Sequence, residues 1–168
     1  MRSHDIPGFT NWEKWSQRTP SNAPRAKGIY VFRLADGRPF GRLRGQSDVI
    51  YVGATREGKQ TVQGRLKQHA TPRGDEKDTG ILLARAVQAG YALEISWKTC
   101  ESDFLAQLEE GMLLDQYERD HLELPPLNGS RPLKGLSRAS NTLKSMPQEQ
   151  RASILSSIRA RRQPQSGP

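Results

Sequence analysis

The sequence predicts a single α/β domain: a small, mainly antiparallel three-stranded sheet flanked by helices. A short N-terminal helix would precede it and a basic helical extension would follow. Three observations carry this reading. Two apolar runs rich in β-branched and aromatic residues, 28–32 and 49–53, have strand character. A third run, 91–97, alternates apolar with small or polar residues, as a half-buried strand does. Segments with apolar residues at helical spacing lie between and after these runs. A chain of 168 residues has room for one such domain with a sizeable core, plus tails. The predicted organisation is an N-terminal extension (1–26), a central domain (27–130) and a basic C-terminal extension (131–168).

In order along the chain, residues 9–18 place Trp12 and Trp15 three apart. That spacing predicts a short helix with both rings on one face, capped by Thr10 or Asn11. Residues 19–24, with Pro20 and Pro24, read as a linker. Between the first two strands, Asp36-Gly37 and Pro39 are turn signals, so these strands are expected to be antiparallel neighbours on a long hairpin. Its loop, 38–46, carries Arg38, Arg42 and Arg44 and no acid. A polar turn over 54–59 leads into a helix over 61–70, where Arg65 and His69 share a face. A second helix follows over 79–89, stopped by Gly90. Ser102 or Asp103 caps a longer helix to His121, with Phe104, Leu105, Leu108, Met112, Leu113 and Tyr117 at helical spacing. Glu109 and Glu110 lie in its middle. Pro125 and Pro126 end the helical region and stiffen the approach to Asn128. Ser145 to Gln148 has the form of a capping box, which predicts a basic amphipathic helix over 147–161. Residues 163–168 read as disordered.

Composition excludes several classes. Hydrophobic residues make up 34% of the chain and mean hydropathy is −0.77, which argues for surface extensions on one modest core. An apolar run of about 18 residues is absent, so no membrane span is expected. The first residues lack the apolar core of a signal peptide. Cys100 is the only cysteine, which rules out an intrachain disulfide framework or a cysteine-rich zinc site. The expected setting is soluble and cytoplasmic. The net charge is +8, and residues 131–168 supply +7 of it, with eight Lys and Arg against Glu149. A near-neutral body with a cationic tail points to a polyanionic partner, most simply nucleic acid, because neutralising phosphates releases condensed counterions.

Several short motifs occur in a fixed order: Gly28-Ile29-Tyr30; Tyr51-Val52-Gly53; Arg65 with His69 four residues on; Glu110 followed by Gly111-Met112-Leu113-Leu114; and Pro125-Pro126-Leu127-Asn128. This set resembles the GIY-YIG nuclease superfamily over residues 27–129. The second tripeptide reads YVG, and Leu replaces Ile in the pair that follows the family's glutamate. Two segments depart from compact members: the long basic loop between the tyrosines, and the eighteen positions separating Glu110 from Asn128.

The resemblance implies a metal-dependent endonuclease acting on nucleic-acid phosphodiester bonds, DNA in preference to RNA, and leaving 5′-phosphate and 3′-hydroxyl ends. Each residue type suits that chemistry. Glu110 would hold Mg²⁺ or Mn²⁺, which stabilises the charge of the reacting phosphate. Glu109 takes that role if the register slips by one. Adjacent helix positions diverge by about 100°, so only one of the two can face the site. Arg65 would clamp the scissile phosphate with its fork of donors, and His69 would hydrogen-bond the phosphate or the nucleophile. Tyr30 would activate the attacking water, with Tyr51 holding that water or the phosphate. A phenol with an ordinary pKa of about 10 needs a positive field to do so, for which Lys27, Arg33 and the arginine loop are candidates. Asn128 would position a tyrosine or the backbone. Candidate nucleic-acid contacts are Lys27, Arg38, Arg42, Arg44, Lys67, Arg131, Lys134 and Arg138. Two alternatives stay open: a sequence-specific restriction-type enzyme, favoured by the Arg65–His69 pair and the added loops, and a non-catalytic nucleic-acid-binding module. A specific enzyme cutting both strands would need two sites, hence a dimer.

Overall fold

The structure, a computed structural model, describes residues 1–16, 18–73 and 78–129, together with Gln148, Glu149, Ala152 and Ser156. The chain divides into two compact units, Met1–Pro132 and Leu133–Pro168. The expected C-terminal helix and the cations Arg131, Lys134 and Arg138 lie outside the described residues, apart from those four isolated positions, which have helical backbone. The first unit is α/β, with a mainly antiparallel sheet and, among the described residues, three α-helices. Among the described residues no helix is long and apolar enough to cross a membrane.

The main sheet has four strands rather than the expected three: β1 (Glu13–Lys14), β2 (Gly28–Leu34), β5 (Val49–Ala54) and β6 (Leu93–Thr99), in the order β1-β6-β2-β5. The extra strand comes from the segment predicted as a helix. Glu13 and Lys14 pair with Ile95 and Glu94 at the edge, and the Trp15 N–H donates to Leu93 O at 2.8 Å. In extended backbone an odd spacing sends side chains to opposite faces, and the two tryptophans do separate. Trp15 packs edge-on to Phe32 at 4.9 Å, whereas the Trp12 ring lies 4.0 Å from the Arg33 guanidinium. Residues 1–26 therefore complete the sheet and its core instead of preceding them. Ser3 donates its N–H to Asp48 at 2.8 Å, and Ile6 and Phe9 are buried.

β2 is central and covered on both faces, which is why its sequence is continuously apolar. Tyr30 and Phe32 point to one core with Leu66 and Leu83, while Ile29 and Val31 point to the other with Leu114 and Tyr117. The first face carries α1 (Val62–Ala70) and α2 (Thr79–Gln88); the second carries α3 (Asp103–His121). Side-chain oxygens cap all three helices: Thr61 accepts from Gly64, Asp78 from Gly80, and Ser102 from Leu105. Left-handed Leu122, at φ 63°, ends α3.

The hairpin between β2 and β5 opens at Asp36 and Gly37, both at positive φ (57° and 61°), a conformation this pair tolerates. Its loop contains a small ribbon, β3 (Phe40–Gly41) with β4 (Gln46–Ser47). The ribbon is tied to the end of α3 and the turn that follows. Arg42 pairs with Glu123 at 2.8 Å and donates to Leu124 O at 2.8 Å. Arg44 donates to Asp120 O at 2.8 Å. The two segments that lengthen the chain therefore brace each other.

β5 forms an edge of the sheet, where the Val52 N–H and C=O would otherwise lack strand partners. The Asn128 side-chain amide takes both, accepting from the N–H at 3.0 Å and donating to the C=O at 2.8 Å. Asn128→Ala should cost about 2 kcal/mol, from two hydrogen bonds at roughly 1 kcal/mol each, seen as a lower midpoint in urea denaturation. An unchanged midpoint would remove Asn128 from the set of structural contacts.

Candidate functional site

The site begins with strand register. In the β2–β5 pair Tyr30 faces Gly53 and Phe32 faces Tyr51, which puts both tyrosines on the α1 side of the sheet. Their ring centroids are 6.2 Å apart. Gly53 makes this possible, because a Cβ there would sit 2.7 Å from Cζ and Oη of Tyr30 and from Cε1 of Tyr51. A β-bulge at Ile50 brings Ile50 and Tyr51 into the same core cluster.

Helix α1 docks on this face through Val62 and Leu66, and its last turn delivers His69. The Tyr30 hydroxyl and His69 Nε2 share a 2.9 Å hydrogen bond. His69 is 6% exposed and Tyr30 is wholly buried. Burial, reinforced by the Arg65 cation and opposed by Asp78, lowers the His69 pKa to about 4, so the ring is neutral at pH 7. Burial and the adjacent Tyr51 raise the Tyr30 pKa well above the ordinary phenol value, and Arg65 opposes the rise only in part. The positive field at the phenols therefore comes from Arg65. The expected sources lie elsewhere: Arg33 is bonded to Glu94 at 2.7 Å, and Lys27 donates to Gly58 O at 2.6 Å and lies 3.7 Å from Asp103. Arg65 donates from Nη1 to Gln68 at 2.8 Å, while its Nε is buried with no hydrogen-bond partner.

Helix α3 supplies the carboxylate. Its buried stripe runs Ala106, Glu110, Leu114, Tyr117, His121, so Glu110 occupies a core position at 2% exposure. Burial raises its pKa, against the pull of Arg56 and Arg65. The Arg56 guanidinium holds both carboxylate oxygens, at 2.9 and 3.2 Å. Glu109 projects from the stripe and pairs with Lys98 at 2.8 Å. Of the two consecutive acids, Glu110 is the one within electrostatic reach of Tyr30 and Arg65.

Tyr30, Tyr51, Arg65, His69 and Glu110 thus converge, and Asn128 anchors the strand that bears Tyr51. The loop cations divide differently from expectation. Arg42 is half-buried and bonded within the fold, and Lys27 binds the loop after β5; Arg44, which donates to Asp120 O, is exposed, as are Arg38 and Lys67. Arg56, in the polar turn after Tyr51-Val52-Gly53, was missed. Its only sequence signal is a cation placed just after that motif. A cleft of about 620 Å³ opens beside the site, lined by Arg65, Lys67, Gln68, His69, Thr71, Arg73, Asp78 and Thr79. Among the described lining residues Arg65, Lys67 and Arg73 are cations and Asp78 is an acid.

Two outcomes follow from this geometry. Gly53→Ala should cost about 1–3 kcal/mol by overpacking, with a lowered Tm, because the phenols cannot both keep their places. The His69 pKa, about 4 when folded, lies below the ordinary 6.5. Its contribution to stability is therefore complete above pH 6.5 and is lost as pH falls towards 4, on the order of 3 kcal/mol in all. Urea denaturation should show the wild-type advantage over His69→Gln shrinking across that window; a constant difference would contradict the buried neutral ring. Comparison of the chain with protein-family models, with curated proteins and with solved structures gives no match.

Proposed function

We propose that this chain is a metal-dependent endonuclease of the GIY-YIG type that hydrolyses DNA phosphodiester bonds. The observation that carries the reading is the state of Arg65. Its guanidinium acts on Tyr30, Tyr51 and Glu110, and the same side chain lines the cleft. A fork-shaped cation beside a carboxylate and two phenols, on the wall of a cleft, suits a phosphate oxygen. The cleft extends from Arg65 and His69 past the cations Lys67 and Arg73, and the +7 tail adds sequence-independent attraction to the polyanion.

Among the described residues no three His, Cys, Asp or Glu cluster as a metal cage. Glu110 as the one protein ligand fits Mg²⁺ or Mn²⁺, which keeps waters and shares the phosphate oxygens. The bound ion would neutralise the phosphate and assist departure of the 3′ oxygen. Arg65 holds a non-bridging oxygen and stabilises the charge that develops there. Tyr30 is too deeply buried to persist as a phenolate, so it works as a relay. As the substrate phosphate draws Arg65 away, the Tyr30 hydroxyl takes the proton of the attacking water and passes its own to His69 Nε2. Neutral His69 is in the state that can accept it. Tyr51, 7% exposed, is the phenol at the rim and orients the water.

A second reading, a nucleic-acid-binding module without cleavage, is favoured by the Arg56–Glu110 pair, which occupies both oxygens of the proposed metal ligand. Supercoiled plasmid incubated with Mg²⁺ separates the two. Nicking or cutting should appear, vanish with EDTA and with Glu110→Ala, and slow at least about 100-fold with Arg65→Ala. A gel shift with no cleavage in any metal would establish the binding module instead.

A further inference from the structure

Glu110 cannot remain a lone carboxylate in the core, because an unpaired buried charge is strongly destabilising. Arg56 removes that problem by binding it end-on, donating from Nη1 and Nη2 to the two carboxylate oxygens. Those two oxygens are also the ones a divalent cation would use. We propose that Arg56 is a built-in occupant of the metal position, so that metal loading proceeds only by displacing the Arg56 side chain from Glu110. This rests on the reading of Glu110 as the metal ligand.

The geometry shows which partner yields. Glu110 is fixed on the buried stripe of α3, its side chain 3% exposed, whereas the Arg56 side chain is 38% exposed. The Arg56 backbone is pinned on both sides: its N–H donates to Gln60 Oε1 at 2.9 Å, and its carbonyl accepts from Lys27 Nζ at 3.3 Å. Exchange is therefore a rotation of one side chain into solvent, with the loop held in place. The guanidinium keeps the carboxylate paired until a cation arrives, and a protein free of metal holds its site in a closed, stable state. Two cations competing for one carboxylate oppose each other, so removing the first must strengthen binding of the second by the same factor.

The experiment is Mn²⁺ binding to the whole chain, followed by electron paramagnetic resonance of free Mn²⁺, with no nucleic acid present. Arg56→Gln keeps an amide donor for Glu110 but loses the charge. It should bind Mn²⁺ at least about tenfold more tightly than wild type, the worth of a charge-assisted hydrogen bond. Arg56→Lys, a point charge without the fork, should fall between them. The rise in Tm on adding Mn²⁺ should follow the same order, a readout independent of catalysis and a check that each variant folds. Glu110→Gln should lose the site in both the wild-type and Arg56→Gln backgrounds. If Glu110→Gln removes binding but Arg56→Gln gains nothing, the displacement idea falls while the metal-ligand reading survives. If Glu110→Gln binds Mn²⁺ as wild type does, both fall.

Discussion

The antiparallel pairing of β2 with β5, in one register and no other, is the constraint on which the rest of the site depends. It sets Tyr30 opposite the one residue that lacks a Cβ and puts Tyr51 on the same face. A slip of one residue would turn one of the two strands over and part its phenol from the other, sending it to the α3 side. That side is packed with Val31, Leu114 and Tyr117. Helix α1 then adds its two polar residues from one flank, and the remaining contributions are refinements of that placement.

Burial governs the electrostatics. His69 and Tyr30 are both held neutral and share a hydrogen bond, whereas Glu110 and Arg65 bring charges that must be balanced locally. Low polarity makes each of these interactions stronger than it would be in water, and makes any unmatched group costly. The arrangement is accordingly almost closed on itself. Arg65 also lines the cleft beside α1, so a further ligand can approach it from that side. The cleft beside α1 adjoins Arg65 and His69 and carries Lys67 and Arg73 as further cations.

Much of this was legible in the sequence, for identifiable reasons. The three longer strands and three α-helices announced themselves through periodicity and caps, since Thr61, Ser102 and Gly90 mark boundaries with short-range chemistry. The fourth strand was not visible. Two residues are too few to show alternation, and the Trp12–Trp15 spacing fits a helical face as well as opposite sides of an extended segment. Glu110 and Glu109 could not be separated either, because the apolar residues of α3 are spread around it. The stripe that proved buried includes alanine, glutamate and histidine. Arg42 and Arg44 looked like open contacts because their partners, Glu123 and the Asp120 carbonyl, lie about eighty positions away. Long-range pairing of that kind leaves no local trace, and the same holds for Arg56 and Glu110.

The amide of Asn128 has an effect beyond the fold of one chain. A bare edge strand is a template on which a second chain can extend the sheet. Here Val52 is already satisfied, and the Leu127 N–H donates to Ile50 O at 3.0 Å, so the β5 margin behaves as a finished seam. At the opposite margin β1 offers only two residues. Growth of the sheet into ribbons is therefore discouraged at both ends. Two copies of the chain would have to meet through side chains and not through a shared sheet.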